Sequence, residues 1–229
     1  NRLGISKMND VTENDRPHTG PATREGRKIG WLDVMLVVCL LLILAFLAVT
    51  EVRKQHRKST MHEGMGNMKS LFYLMIEYDS DNGMFPCGAA EKVDSPFSND
   101  YFGRFFSEGY TQSEEIFYFK GGGSVQRKPD NIIDPPERIL EAGECGYALI
   151  VGSSTQSRTS EPIILAPMGR SGTEFNPAPM GKQCVVLRVD GAVKVYRLNA
   201  ANEAVVGGGK TLFASGAGSV WAEGKFDIK

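Results

Sequence analysis

The chain has 229 residues, with 26 Lys plus Arg against 27 Asp plus Glu and a formal net charge of −1. That length suits one domain plus an appendage, and the balanced charge lacks the basic excess of a dedicated nucleic-acid binder. Four cysteines exclude a disulfide-dense scaffold, and three histidines (His18, His56 and His62), none beside a cysteine cluster, argue against a zinc site. Its 26 Gly and 11 Pro are too few for a collagen-like or wholly disordered chain.

Residues 1–30 carry Pro17, Gly20, Pro21 and scattered charge without apolar periodicity, and read as a flexible polar leader. The sequence opens at Asn1, and Met8 is a candidate initiator. Trp31–Thr50 follows as WLDVMLVVCLLLILAFLAVT. As a helix this run spans about 30 Å, the thickness of a bilayer's hydrocarbon core. Between Val34 and Val49 there is no charge, Gly or Pro; Trp31 suits the interface, and Asp33 suits the positive end of the helix dipole. The run is longer than a signal peptide's apolar region and ends in the basic stretch Glu51–Lys58, so it reads as a retained anchor. Beside such an anchor, Arg53–Lys58 is expected to meet lipid headgroups. Flanking Lys and Arg are nearly balanced, Arg16, Arg24, Arg27 and Lys28 before the run against Arg53, Lys54, Arg57, Lys58 and Lys69 after it. Charge therefore leans only slightly towards a cytoplasmic C-terminal side.

Beyond the anchor, Met61, Met65, Met68, Phe72 and Met75 recur at helical spacing, broadened by Leu71, Leu74, Ile76 and Tyr78. This stripe predicts a helix whose apolar face packs on a soluble domain. Gly64 and Gly66 weaken its middle, and Asp79-Ser80-Asp81-Asn82-Gly83 ends it. Asn99–Phe106 suits a short helix with an Asn or Asp cap, and Glu115–Phe119 a strand or extended segment. Residues 147–151, 162–166 and 184–189 are strand-length apolar runs, while 192–198 alternate, so one face of that strand is expected to be wet. Asp190-Gly191 between the last two predicts a tight hairpin.

Two motifs point weakly towards chemistry. AVVGGGKT (204–211) fits a permissive phosphate-loop pattern, but it lacks a clear strand before it and a helix after it, so it reads as a Gly-rich loop feeding a terminal strand. The Asp79–Gly83 segment resembles the head of a calcium loop, with its Gly one residue early, and reads as a helix-ending turn. No histidine lies beyond His62, which disfavours a Ser–His or Cys–His nucleophile. No catalytic or metal-binding residue and no cofactor is assigned.

The order of these features is familiar. Arg27-Lys28-Ile29-Gly30 before Trp31 resembles a prepilin leader, with basic residues and a Gly at the cut before an apolar helix. Met68–Tyr78 leading to Asp81-Asn82-Gly83-Met84-Phe85-Pro86 is similar to the helix end of bacterial pseudopilins related to type II secretion and type IV pili. Val185–Val193, with its Asp-Gly turn, resembles the late hairpin of one branch of those proteins. Members usually carry Glu at the fifth mature position, where this chain has Met35; its nearest acid is Asp33.

The resemblance implies an α+β pilin-like fold, with a long N-terminal helix packed on an antiparallel β-sheet. The expected layout is a leader at 1–30, a transmembrane helix at 31–50 and a soluble domain at 51–229. It implies a non-enzymatic structural subunit, cut between Gly30 and Trp31 by a prepilin peptidase. Its expected partners are membrane lipid and other pilin-like subunits in a filament, not nucleic acid. The expected location is the bacterial inner membrane, with the soluble domain on the periplasmic or extracellular side. Such an exported domain permits a disulfide, for which Cys87 and Cys145 form the candidate pair, with Cys184 a small buried residue. The alternative is a single-pass membrane-tethered module that senses or binds a ligand or partner.

Overall fold

The computed structural model describes residues 30–86, 95–122, 127–169, 172–215, 220–221 and 227–229. The chain divides between Leu47 and Ala48 into two units, each of which is taken by itself below.

Helix α1 runs over Trp31–Asn82. Its N-terminus is closed at Gly30, whose carbonyl accepts from Asp33 N–H at 3.0 Å and whose N–H donates to Asp33 Oδ2 at 3.1 Å. The short Asp33 side chain thus makes the acidic half of a capping box. At the other end Gly83 adopts φ +76 and donates its N–H to the Asp79 carbonyl at 2.7 Å, the left-handed cap that the turn residues lead one to expect. Asp79–Gly83 is therefore the end of a helix.

In the first unit every residue from Trp31 to Leu47 is exposed. This helix is long and apolar enough to cross a membrane.

In the second unit the remainder of α1 buries Thr60, Gly64, Met68, Leu71, Met75 and Tyr78. The periodicity is the expected one, but the face is turned. Met61, Met65 and Phe72, expected at the centre of the stripe, lie at its edge and are only half-buried. Gly64 explains the offset. A Cβ on Gly64 would lie 2.6 Å from the Phe119 ring, so the helix approaches the domain along the one position without a side chain. Gly146 and Gly121 crowd the same residue, with Cβ positions 2.7 Å from Phe119 Cβ and 3.0 Å from its Cζ. Tyr147 Oη donates to the Gly64 carbonyl at 3.2 Å across this contact.

The seven strands are β1 (Ala148–Val151), β2 (Pro162–Ala166), β3 (Gln183–Arg188), β4 (Val193–Leu198), β5 (Ala204–Gly207), β6 (Lys210–Thr211) and β7 (Asp227–Ile228). They form one antiparallel sheet in the order β6-β5-β4-β3-β2-β1-β7. The architecture is α+β.

Both faces of the central strands are covered, which is why β2 and β3 read as continuous apolar runs. Val185 and Leu187 join Met68, Leu71 and Met75 in one cluster, while Cys184 and Val186 join Phe175, Leu198 and Leu212 in another. Burying each such aliphatic side chain contributes about 1.5–3 kcal/mol. On β4, Lys194, Val195 and Arg197 are all exposed, so the exposure is not confined to the one wet face expected.

Between α1 and the sheet, the expected single helix at 99–106 is instead two short ones, α2 (Ser98–Phe102) and α3 (Arg104–Ser107), and the residue preceding α2 is Phe97, which offers no side-chain cap. Residues Glu115–Phe117 form a 3₁₀ turn where a strand or extended segment is expected. Phe117 and Phe119 are both fully buried, so their two-residue spacing imitates a strand. Phe102, Phe105 and Phe117 pack with centroids 5.2–6.3 Å apart, and Tyr78 of α1 meets Phe105 edge-on at 5.7 Å.

Candidate functional site

Of the sequence-derived site residues, Gly30 and Trp31 mark the junction where α1 begins. Gly30 lies outside the helix, Trp31 is its first residue and is 77% exposed, and Asp33 bridges back to Gly30. The junction thus combines an accessible glycine backbone with a carboxylate already turned towards its N–H.

Cys87 lies outside the described residues, and its pairing with Cys145 lies there with it. Cys145 is buried, approaches Ser98 Oγ at 4.0 Å and donates from Sγ to the Tyr147 carbonyl at 3.5 Å. Burial pushes its thiol up to about 11, against the lowering effect of those hydrogen bonds. Cys184 is the small buried residue expected in β3, its thiol pushed up to about 12 by burial. Neither pKa suits a thiolate nucleophile at neutral pH.

The two hairpins resolve two motifs. Gly191 takes φ +74 in a loop of Val189, Asp190 and Gly191, closed by Arg188 N–H to the Ala192 carbonyl at 3.1 Å. The Asp-Gly hairpin is present, with three loop residues rather than two. A Cβ on Gly191 would lie 2.4 Å from Phe72, so the hairpin tip rests on α1. The segment 204–211 is itself a hairpin: β5 and β6 pair Gly207 with Lys210 across Gly208 (φ +56) and Gly209 (φ +77). A strand–turn–strand cannot present the strand–loop–helix cradle that a nucleotide phosphate needs.

One charged cluster escaped the sequence reading. Carboxylate oxygens of Glu114, Asp130 and Glu144 lie within 4.8 Å of one another, and Glu114 and Glu144 are fully buried. Glu114 accepts the N–H of Leu140 at 2.7 Å and of Asn131 at 2.9 Å. Both donors are non-glycine residues at positive φ, +48 and +57. Asp130 pairs with Arg138 at 2.8 Å, and Arg127 Nη2 lies 3.1 Å from Glu144 Oε1, an ion pair without hydrogen-bond alignment. Arg127 and Arg138 also contact Glu141. Burial, and then the neighbouring charge of Glu114, hold the Glu144 carboxyl above its ordinary range despite Arg127. Glu114 is engaged by backbone N–H groups and Asp130 by a guanidinium, while among the described residues neither Glu144 oxygen has a hydrogen-bond partner; through Glu114 the cluster ties the loop between residues 127 and 144 to the domain. These acids are spaced by 16 and 14 residues in irregular chain, so no periodic signal joins them.

Compared with known proteins, the chain matches no family model, no curated protein and no solved structure.

Proposed function

We propose that this chain is a pilin-like structural subunit, a pseudopilin of a type II secretion or type IV pilus-like filament. In this reading the helix from Trp31 to Thr50 anchors the subunit in the bacterial inner membrane and bundles with the same helix of neighbouring subunits. The sheet domain lies on the periplasmic or extracellular side, and the subunit performs no catalysis. The observation that carries the reading is the composition of α1: one helix is apolar all round from Val34 to Val49 and carries a single buried face from Thr60 to Tyr78. The all-round apolar part needs lipid or other helices for cover, and the second part needs only its own domain. The basic residues before Gly30, and the contact of the Asp-Gly hairpin with Phe72, add support.

Processing by a prepilin peptidase breaks the bond between Gly30 and Trp31. The new α-ammonium of Trp31 then stands in the first helical turn with the Asp33 carboxylate, which has lost its Gly30 partner. Mass spectrometry of the N-terminus of protein from native membranes tests this. A terminus at Trp31 is expected. Leader residues intact on the whole population contradict processing and leave the plain membrane-tethered module.

A further inference from the structure

A groove of about 440 Å³ opens where α1 leaves its apolar run. Arg53, Lys54, Arg57 and Lys58 line it from the helix, Gly181 from the turn that enters β3, and Gln183 from the first residue of β3. Met61, half-buried, and Met180, buried, supply its apolar lining. The four basic side chains are exposed, and among the described residues their one ion pair is Lys54 with Glu51 at 3.6 Å, between two well-solvated groups. Among the described residues Arg53, Arg57 and Lys58 have no carboxylate partner. Arg53 with Arg57, and Lys54 with Lys58, are like-charge pairs one turn apart, an arrangement that weakens a helix unless an anion compensates it. Gly181 contributes shape. At φ +64 its missing Cβ would stand 3.3 Å from Arg57 Nη1 and 3.5 Å from Arg57 Cδ, so the guanidinium lies across bare backbone at the wall of the groove.

Position along the helix identifies the anion. Arg53 to Lys58 lie three to eight residues beyond Thr50, about 5–12 Å of helix rise. A bilayer's headgroup layer occupies roughly the first 5–8 Å outside the hydrocarbon on each side, and long basic side chains reach back into it. We propose that this groove binds the phosphate of an anionic phospholipid headgroup, with Arg53 and Arg57 as its principal donors. The inference rests on the reading of Trp31–Thr50 as a membrane span. Guanidiniums meet a phosphodiester through paired N–H donors, and Lys54 and Lys58 add point charge. The site holds one subunit at a set depth and favours anionic lipid around it.

The test uses the full chain. Flotation with pure phosphatidylcholine vesicles comes first; a chain that stays in the soluble fraction overturns the membrane reading and the groove inference with it. Native mass spectrometry in neutral detergent then compares phosphatidylglycerol with phosphatidylcholine adducts. A preference of about tenfold or more for phosphatidylglycerol is expected. It should fall to within about twofold in the Arg53→Gln/Arg57→Gln variant and persist in Lys194→Gln/Arg197→Gln, which removes the same charge from β4. Thermal unfolding checks that both variants remain folded. A chain that floats but binds the two lipids equally, or keeps its preference without Arg53 and Arg57, overturns the inference alone. Loss of the adduct to excess inorganic phosphate, with flotation unchanged, assigns the groove to a soluble phosphate and overturns the lipid assignment.

Discussion

Leu41 and Leu71 belong to one helix, yet Leu41 is 59% exposed and Leu71 fully buried. Around Leu41 the neighbours on every side of the helix are apolar and exposed; around Leu71 an apolar face meets the sheet while Lys69, Ser70 and Tyr73 face outward. The difference separates two sources of cover. A periodic face is satisfied within the chain, whereas a surface that is apolar all round at bilayer length is satisfied only by what surrounds it.

Substitution at these two leucines should separate the regions most strongly. Leu71→Ala removes a fully buried side chain from the main core and should lower the unfolding free energy by about 2–5 kcal/mol in urea denaturation. Leu41→Ala should leave that transition where it is. Equal losses would mean that the first part of α1 is also packed within the domain.

Glu114→Ala comes next. It leaves the buried N–H of Leu140 and the part-buried N–H of Asn131 without their carboxylate, at a cost of about 2–3 kcal/mol read from the same denaturation curves. An unchanged midpoint would show that the loop from 127 to 144 holds without its acidic lock.

Two glycines about four turns beyond the apolar run sharpen the contrast further. Gly66 has open space where a Cβ would go, so Gly66→Ala should stabilise by about 0.5–1 kcal/mol through helix propensity. Gly64→Ala gains the same propensity but drives a methyl group into the buried Phe119 ring. Overpacking of about 1–3 kcal/mol should make the net effect destabilising. Paired thermal melts check the signs, and a stabilising Gly64→Ala would remove the close approach from the account of the interface.

The smallest effect is pH-dependent. Because Glu144 is held above its ordinary 4.5 in the folded domain, its ionisation costs stability once pH rises through the folded value, and the cost is absent below the unfolded one. Glu144→Gln should therefore raise stability at pH 7 relative to the natural chain, with the gain shrinking as pH falls to 4.5. A gain that grows on acidification would reverse the assignment.

Much of this organisation is legible in the residues themselves. The apolar run of bilayer length needs only length and composition, the stripe only a period, and the hairpin at Asp190-Gly191 a left-handed glycine. The failures share a cause, because each depends on a partner distant in sequence. Nothing near Gly64 announces Phe119, and so the spacing of Met61, Met65, Met68, Phe72 and Met75 alone does not show that Met61, Met65 and Phe72 lie at the edge of the buried face. Phe117 and Phe119 alternate like a strand because two separate contacts bury them. Glu114, Asp130 and Glu144 meet only after the loops between them close. The groove likewise joins Arg53 and Arg57 to Gly181, more than a hundred residues away.

That one helix serves first as an anchor and then as part of a core is tested most directly by deleting residues 1–50 and asking where the shortened chain goes. The expected product remains in the soluble fraction after ultracentrifugation with membranes and unfolds in a single cooperative transition. A shortened chain that still sediments with membranes would contradict this division, and would make the stripe from Met61 to Met75 a membrane-facing surface.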